Sequence, residues 1–128
     1  MTTSPRLAGL TMLVVEDEPL IALEMEAVLG DEGCIGVQIC TTCADALEIL
    51  ASGSRPDAAL VDFQLGSETA TSVMTALACQ SIPFVMLSAN SRDQLPPGDY
   101  RLFVKPVAME KVIAHLTAML DRTRGEEV

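Results

Sequence analysis

Residues 10–19 read Leu10-Thr11-Met12-Leu13-Val14-Val15-Glu16-Asp17-Glu18-Pro19. An apolar run breaks into three acids and a proline. A continuous apolar run marks a strand buried on both faces, and proline suits the first turn of a helix. The stretch therefore predicts buried strand, acidic loop, helix. The same grammar returns downstream. Ala58-Ala59-Leu60-Val61 ends on Asp62, residues 82–87 form a β-rich run that ends on Ser88, and Leu102-Phe103-Val104 ends on Lys105-Pro106.

Helical stripes lie between these runs. Ile21, Met25, Val28 and Leu29 recur at helical spacing before Gly33, and Ala44, Leu47, Leu50 and Ala51 form a second stripe. Ala70, Val73 and Leu77 mark a third helix; Met109, Val112, Ile113, Leu116 and Leu120 mark the last. Ile35, Val37 and Ile39 alternate with Gly36, Gln38 and Cys40, the pattern of a strand buried on one face near a sheet edge. Strand and helix alternate throughout, so an α/β fold is expected: a doubly wound parallel sheet with helices on both faces. The expected boundaries are a polar tail at 1–9, one domain at 10–121 and a polar tail at 122–128.

The chain has 128 residues, 49% of them apolar, which suits one domain with a full core and excludes global disorder. Its formal net charge is −10, and residues 7–54 hold nine acids and no Lys or Arg. No clustered basic face is available for nucleic acid or for an anionic membrane. Residues 69–91 are uncharged, yet Thr69, Thr71, Ser72, Thr75, Gln80, Ser81 and Pro83 make them too polar to span a membrane. The N-terminus has no apolar signal region, so a cytoplasmic protein is expected, with Cys34, Cys40, Cys43 and Cys79 reduced. Cys40 and Cys43 have CxxC spacing but no partner motif; they read as small buried thiols. His115 sits off the apolar stripe of the last helix and reads as a solvated residue.

Three strand-like runs end on Glu16-Asp17, Asp62 and Ser88, and a fourth on Lys105. In an open parallel sheet the carboxyl ends of the strands form the ligand crevice. Three carboxylates gathered there repel one another by roughly 1–4 kcal/mol per close pair. Lys105 and a hard divalent cation are the candidates to offset that charge, and all-oxygen ligands suit magnesium. A strand-end carboxylate, a metal and a lysine make a competent phosphoryl-transfer site.

With these residues in order, the chain resembles the receiver domain of two-component response regulators. The resemblance rests on Val14-Val15-Glu16-Asp17-Glu18-Pro19, Leu60-Val61-Asp62, Leu87-Ser88-Ala89 and Val104-Lys105-Pro106, and covers roughly residues 9–121. It implies a flavodoxin-like five-stranded sheet of order 2-1-3-4-5. It implies that Asp62 accepts a phosphoryl group from a phosphohistidine on a histidine kinase or histidine phosphotransfer protein. Asp17, Asp62 and the backbone carbonyl of Gln64 would bind magnesium, with Glu16 acting through water. Ser88 would bond a phosphoryl oxygen and Lys105 would pair with the phosphoaspartate. Ala89 would leave room for the phosphoryl group, while Gln64 and Asn90 would tune its lifetime. Ser88 and residue 102 would form the switch, and the bond before Pro106 would be cis.

The sequence departs from the family pattern in three places. Leu102 stands where relatives often carry an aromatic switch residue. Leu65-Gly66-Ser67 replaces the usual Pro-Gly turn. Only 16 residues separate Ser88 from Lys105, including Pro96-Pro97-Gly98, so a shortened fourth helix is expected. The loop at 90–98 is then the expected carrier of the signal.

The expected protein is a stand-alone, single-domain switch working through partner binding or a phosphorelay, without direct nucleic-acid or membrane contact, as a monomer or weak dimer. It would be no enzyme beyond self-phosphoryl transfer and autodephosphorylation. Two rivals are a phosphorylation-independent scaffold and a magnesium-dependent aspartyl-nucleophile phosphatase. The second wants an acid two residues after its nucleophile, where Gln64 stands. A flavin-binding relative is disfavoured by the acidic first loop.

Overall fold

Ala58–Asp62 is buried at every position, as a strand must be when it lies mid-sheet with both faces covered. The computed structural model describes residues 6–89 and 95–126, with side chains through Asp121. The strands are β1 (Thr11–Val15), β2 (Gly36–Cys40), β3 (Ala58–Asp62), β4 (Gln64–Leu65), β5 (Glu68–Thr69), β6 (Phe84–Ser88) and β7 (Arg101–Val104). The helices are α1 (Pro19–Asp31), α2 (Cys43–Ala51), α3 (Thr71–Cys79) and α4 (Met109–Glu126). Five parallel strands pair in the order β2-β1-β3-β6-β7. Counted without the small β4–β5 hairpin, this is the expected 2-1-3-4-5.

Alternation along each strand sorts the core into two layers. Leu13, Val15, Ala59, Val61 and Met86 pack against Ala46 and Leu50 of α2 and Val73 and Leu77 of α3. Met12, Val14, Leu60, Val85 and Leu87 face the other way, onto Met25 and Leu29 of α1 and Val112, Ile113 and Leu116 of α4. Pro19 opens α1 as expected. The edge strand β2 is half-buried, with Val37 and Ile39 against the α1/α4 layer, but Ile35 precedes it and is exposed.

The structure corrects several expectations. The Thr42 hydroxyl accepts from Asp45 N at 3.1 Å and caps α2, setting its phase so that Cys43, Ala46 and Leu50 are buried and Ala44 and Ala51 are not. The tail expected at 1–9 is packed from Arg6 onward. Leu7 is fully buried, Leu7 N donates to Glu32 O, and Gly9 N donates to Gly33 O. Arg6 forks onto both Glu32 and Glu110 at 2.9–3.1 Å, tying this turn to the end of α1 and the start of α4. The tail expected at 122–128 is helical through Glu126, because α4 runs past its last buried leucine. The shortened helix expected before β7 falls largely on residues 90–94, outside the described residues; residues 95–100 form neither helix nor strand.

The packing of Leu7 is open to a direct check. Leu7→Ala is expected to lower the unfolding free energy by about 2–4 kcal/mol in urea titration, the cost of a cavity in a closed core. A residue in a free tail would leave stability unchanged.

Candidate functional site

Among the described residues, the buried polar or charged ones are Glu16, Asp62 and Ser88, and all three lie at the carboxyl ends of adjacent strands. Strand register puts them there. Val15 pairs with Val61, Asp62 with Leu87, and Ser88 with Val104, so the three strands end level with one another. Glu16 N donates to Cys40 O, Phe63 N to Leu87 O, and Lys105 N to Ser88 O, carrying the ladder one residue past each strand. The peptide bond between Lys105 and Pro106 is cis, as the resemblance implies.

Lys105 reaches over the cluster from the end of β7. Its Nζ lies 2.9 Å from Asp62 Oδ2 and 3.4 Å from Glu16 Oε1. Burial alone would pull the ammonium pKa down, but the Asp62 and Glu16 carboxylates hold it above its usual value. Burial pushes the Glu16 carboxyl up to about 7, and the neighbouring Asp62 adds to the rise. Glu16 Oε2 is buried with no hydrogen-bond partner among the described residues. An orphaned buried carboxylate oxygen is costly unless something electropositive meets it.

One oxygen each from Glu16, Asp17 and Asp62 can gather within 4.8 Å. Fully ionised, these three carboxylates and Lys105 leave a formal charge of −2. The donor set is all oxygen, one of its members is orphaned, and the excess charge is that of one divalent cation. These residues fit a hard divalent metal.

The remaining predicted residues fall around this centre. Gln64 sits two residues past Asp62 in β4, and its backbone N approaches Asp62 Oδ1 at 3.4 Å. Its side chain turns away from the carboxylates: Nε2 donates to Gly66 O at 2.9 Å and to Glu68 O at 3.2 Å. Ser88 is buried at the end of β6, and Ala89 follows it at the surface. Asn90 lies outside the described residues. Leu102 packs half-buried against the α2/α3 layer. Cys40 and Cys43 are buried, and burial raises both thiols, Cys40 to about 11. His115 is half-buried with its ring edge-on to Phe103, so it is less solvated than expected.

The sequence reading missed the β4–β5 hairpin. Its Gly66 has φ +62°, the left-handed conformation that favours glycine, and Gly66 N donates to Asp17 Oδ2 at 2.8 Å. Two-residue strands show no periodicity. The available signal was Gly66-Ser67 as a two-residue turn.

Residues 12–117 match the response regulator receiver domain family. The chain belongs to this family. The receiver is 32% identical over 80 residues to the phyllosphere-induced regulator PhyR of Methylorubrum extorquens, a match covering 61% of this chain and 30% of that protein. It is 30% identical over 122 residues to the probable transcriptional regulatory protein TcrX of Mycobacterium tuberculosis, covering 88% of this chain and 50% of that one. The receiver thus spans half or less of the length of these relatives. It superposes with a TM-score of 0.70 on the BeF3-activated conformation of SdrG from Pseudomonas melonis Fr1, at 35% identity, covering 93% of this chain and 99% of that one.

The raised Glu16 carboxyl has a stability consequence. Between about pH 4.5 and pH 7 the unfolded chain releases a proton that the folded receiver keeps. The contribution of Glu16 is therefore fully present below that window and is lost as pH rises through about 7. In urea titrations without metal, the receiver is expected to lose stability from pH 5 to pH 8 relative to Glu16→Gln. Parallel pH profiles would contradict the burial of an ionisable Glu16.

Proposed function

We propose that this receiver is a phosphorylation-dependent switch in which Asp62 takes a phosphoryl group from a phosphohistidine. The observation that carries this reading is the contact of Lys105 Nζ with Asp62 Oδ2 at 2.9 Å, beside a buried carboxylate oxygen with no partner. An isolated strand-end acid that merely caps a helix has no need of either.

The chemistry follows from the groups present. An Asp62 oxygen attacks phosphorus; a P–O bond forms as the P–N bond to the donor imidazole breaks, and the imidazole leaves with its electron pair and is protonated. Lys105 neutralises charge on the acceptor and on the acyl phosphate that results. Ser88 lies at the neighbouring strand end, where its hydroxyl can bond a phosphoryl oxygen. Glu16, Asp17, Asp62 and the Gln64 carbonyl are the proposed holders of magnesium, which would lower the charge repulsion between nucleophile and phosphoryl oxygens. The receiver turns over no separate substrate. Its only reactions are phosphoryl transfer to itself and loss of that group.

Phosphohistidine donors are borne by histidine kinases and histidine phosphotransfer proteins, and these are the proposed upstream partners. The downstream partner is proposed to be a protein, since a chain of net charge −10 offers nucleic acid no basic face. No helix among the described residues is long and apolar enough to cross a membrane. A cytoplasmic location is proposed on the kinship with two-component regulators. The phosphatase alternative is weakened by Gln64: an amide whose two protons are spent on Gly66 O and Glu68 O is no general acid.

Incubation with acetyl phosphate and magnesium is expected to raise the intact mass by about 80 Da, one phosphoryl group, in the receiver but not in Asp62→Asn or without a divalent metal. An equal rise in Asp62→Asn would place the acceptor elsewhere. No rise in the unmodified chain would favour the phosphorylation-independent scaffold.

A further inference from the structure

Asp17 is held differently from its two neighbours. Glu16 and Asp62 are buried and share Lys105. Asp17 lies exposed on the loop before α1, and its Oδ2 accepts from the Gly66 N–H at 2.8 Å. A charge-assisted N–H bond to one carboxylate oxygen is short and strong, and it restricts how that carboxylate can turn.

That N–H is itself aimed by other residues. Gly66 occupies a two-residue turn at φ +62°. Gln64 Nε2 closes the turn from the inside, holding Gly66 O at 2.9 Å and Glu68 O at 3.2 Å with its two amide protons. The far strand is fastened to α2, where Cys43 Sγ donates to Thr69 O at 3.3 Å. A continuous set of contacts thus runs from α2 through the hairpin to the Asp17 carboxylate. A Gln64 side chain engaged in this way has both amide N–H groups committed to the hairpin and none left for a phosphoryl oxygen.

We propose that Gln64 and the Gly66 amide are positioning groups for Asp17, and that Gln64 sets the affinity of the site for a divalent cation rather than the lifetime of the acyl phosphate. This rests on reading the Glu16–Asp17–Asp62 cluster as the metal-assisted phosphoacceptor site. Groups that orient a metal ligand typically change metal affinity by 10–100-fold when removed. Gln64 and Gly66 are solvent-exposed, so the lower end of that range is expected.

The test uses 15N-labelled protein titrated with magnesium chloride. Gln64→Met keeps the side-chain length and removes both donors. It is expected to raise the magnesium Kd about tenfold and to speed hydrogen exchange of the Gly66 amide in metal-free protein. The half-life of the acyl phosphate at saturating magnesium is expected to stay within about twofold. Asp17→Ala provides a second measurement that does not depend on the hairpin variant folding: Gly66 amide exchange should accelerate there too. An unchanged Kd in Gln64→Met, or an unchanged Gly66 exchange rate in Asp17→Ala, overturns the positioning role. A changed half-life with an unchanged Kd gives Gln64 to the phosphoryl group instead, and overturns it as well. If the unmodified protein binds no magnesium, the site reading itself falls and the positioning role falls with it. If it binds magnesium and Gln64→Met binds equally, only the positioning role falls.

Discussion

Lys105 Nζ stands 2.9 Å from Asp62 Oδ2 and 3.4 Å from Glu16 Oε1, one ammonium set against a cluster of three carboxylates. Each close pair of like charges costs roughly 1–4 kcal/mol. A core built only for stability would not place Glu16 at zero exposure with one oxygen unpartnered. The fold tolerates this because the central strands β3 and β6 are otherwise apolar on both faces. The two hydrophobic layers fix the strands, and the strands fix the charges. The resulting site is short of positive charge, a deficit that the proposed divalent cation would offset.

Register is what makes the arrangement specific. Side chains alternate faces along a strand, so a one-residue slip of β3 would exchange Ala59 and Val61 with Leu60 between layers and carry Asp62 out of line with Glu16. Both faces of β3 are buried, and its neighbours β1 and β6 are pinned in the same way. The hydrogen bond from Lys105 N to Ser88 O brings the lysine to the same edge. Arg6 adds a tie outside the site, joining Glu32 and Glu110 so that the start of α4, just beyond Lys105-Pro106, is braced against the end of α1. Arg6 holds the carboxyl groups of Glu32 and Glu110 below their usual pKa values.

The parallel sheet and Glu16, Asp17, Asp62 and Lys105 were legible in the sequence because β1, β3, β6 and β7 hold apolar runs that stop on polar or charged residues, while β2 shows as alternation. Elements without such a run were not legible. The β4–β5 hairpin has strands of two residues, and the Asp17–Gly66 contact spans 49 positions. Leu7 is a lone leucine in a polar stretch, and only its packing against the α1/α4 layer shows it as core. The phase of α2 is set by the Thr42 cap, which turns Cys43, Ala46 and Leu50 inward, a feature that the apolar spacing of Ala44, Leu47 and Ala51 does not carry. The role of Gln64 could be placed only by analogy, because the direction of its side chain is set by carbonyls two and four residues away.

The proposed function centres on a phosphoryl site at Asp62 that a divalent cation and Lys105 would complete. Fluorine NMR of the protein with beryllium fluoride reads that site directly, because the beryllofluoride group mimics a phosphoryl group bonded to a carboxylate. Bound fluoride resonances are expected with magnesium present, absent after chelation, and absent in Asp62→Asn. No bound resonances in the unmodified chain, or equal ones in Asp62→Asn, would contradict it.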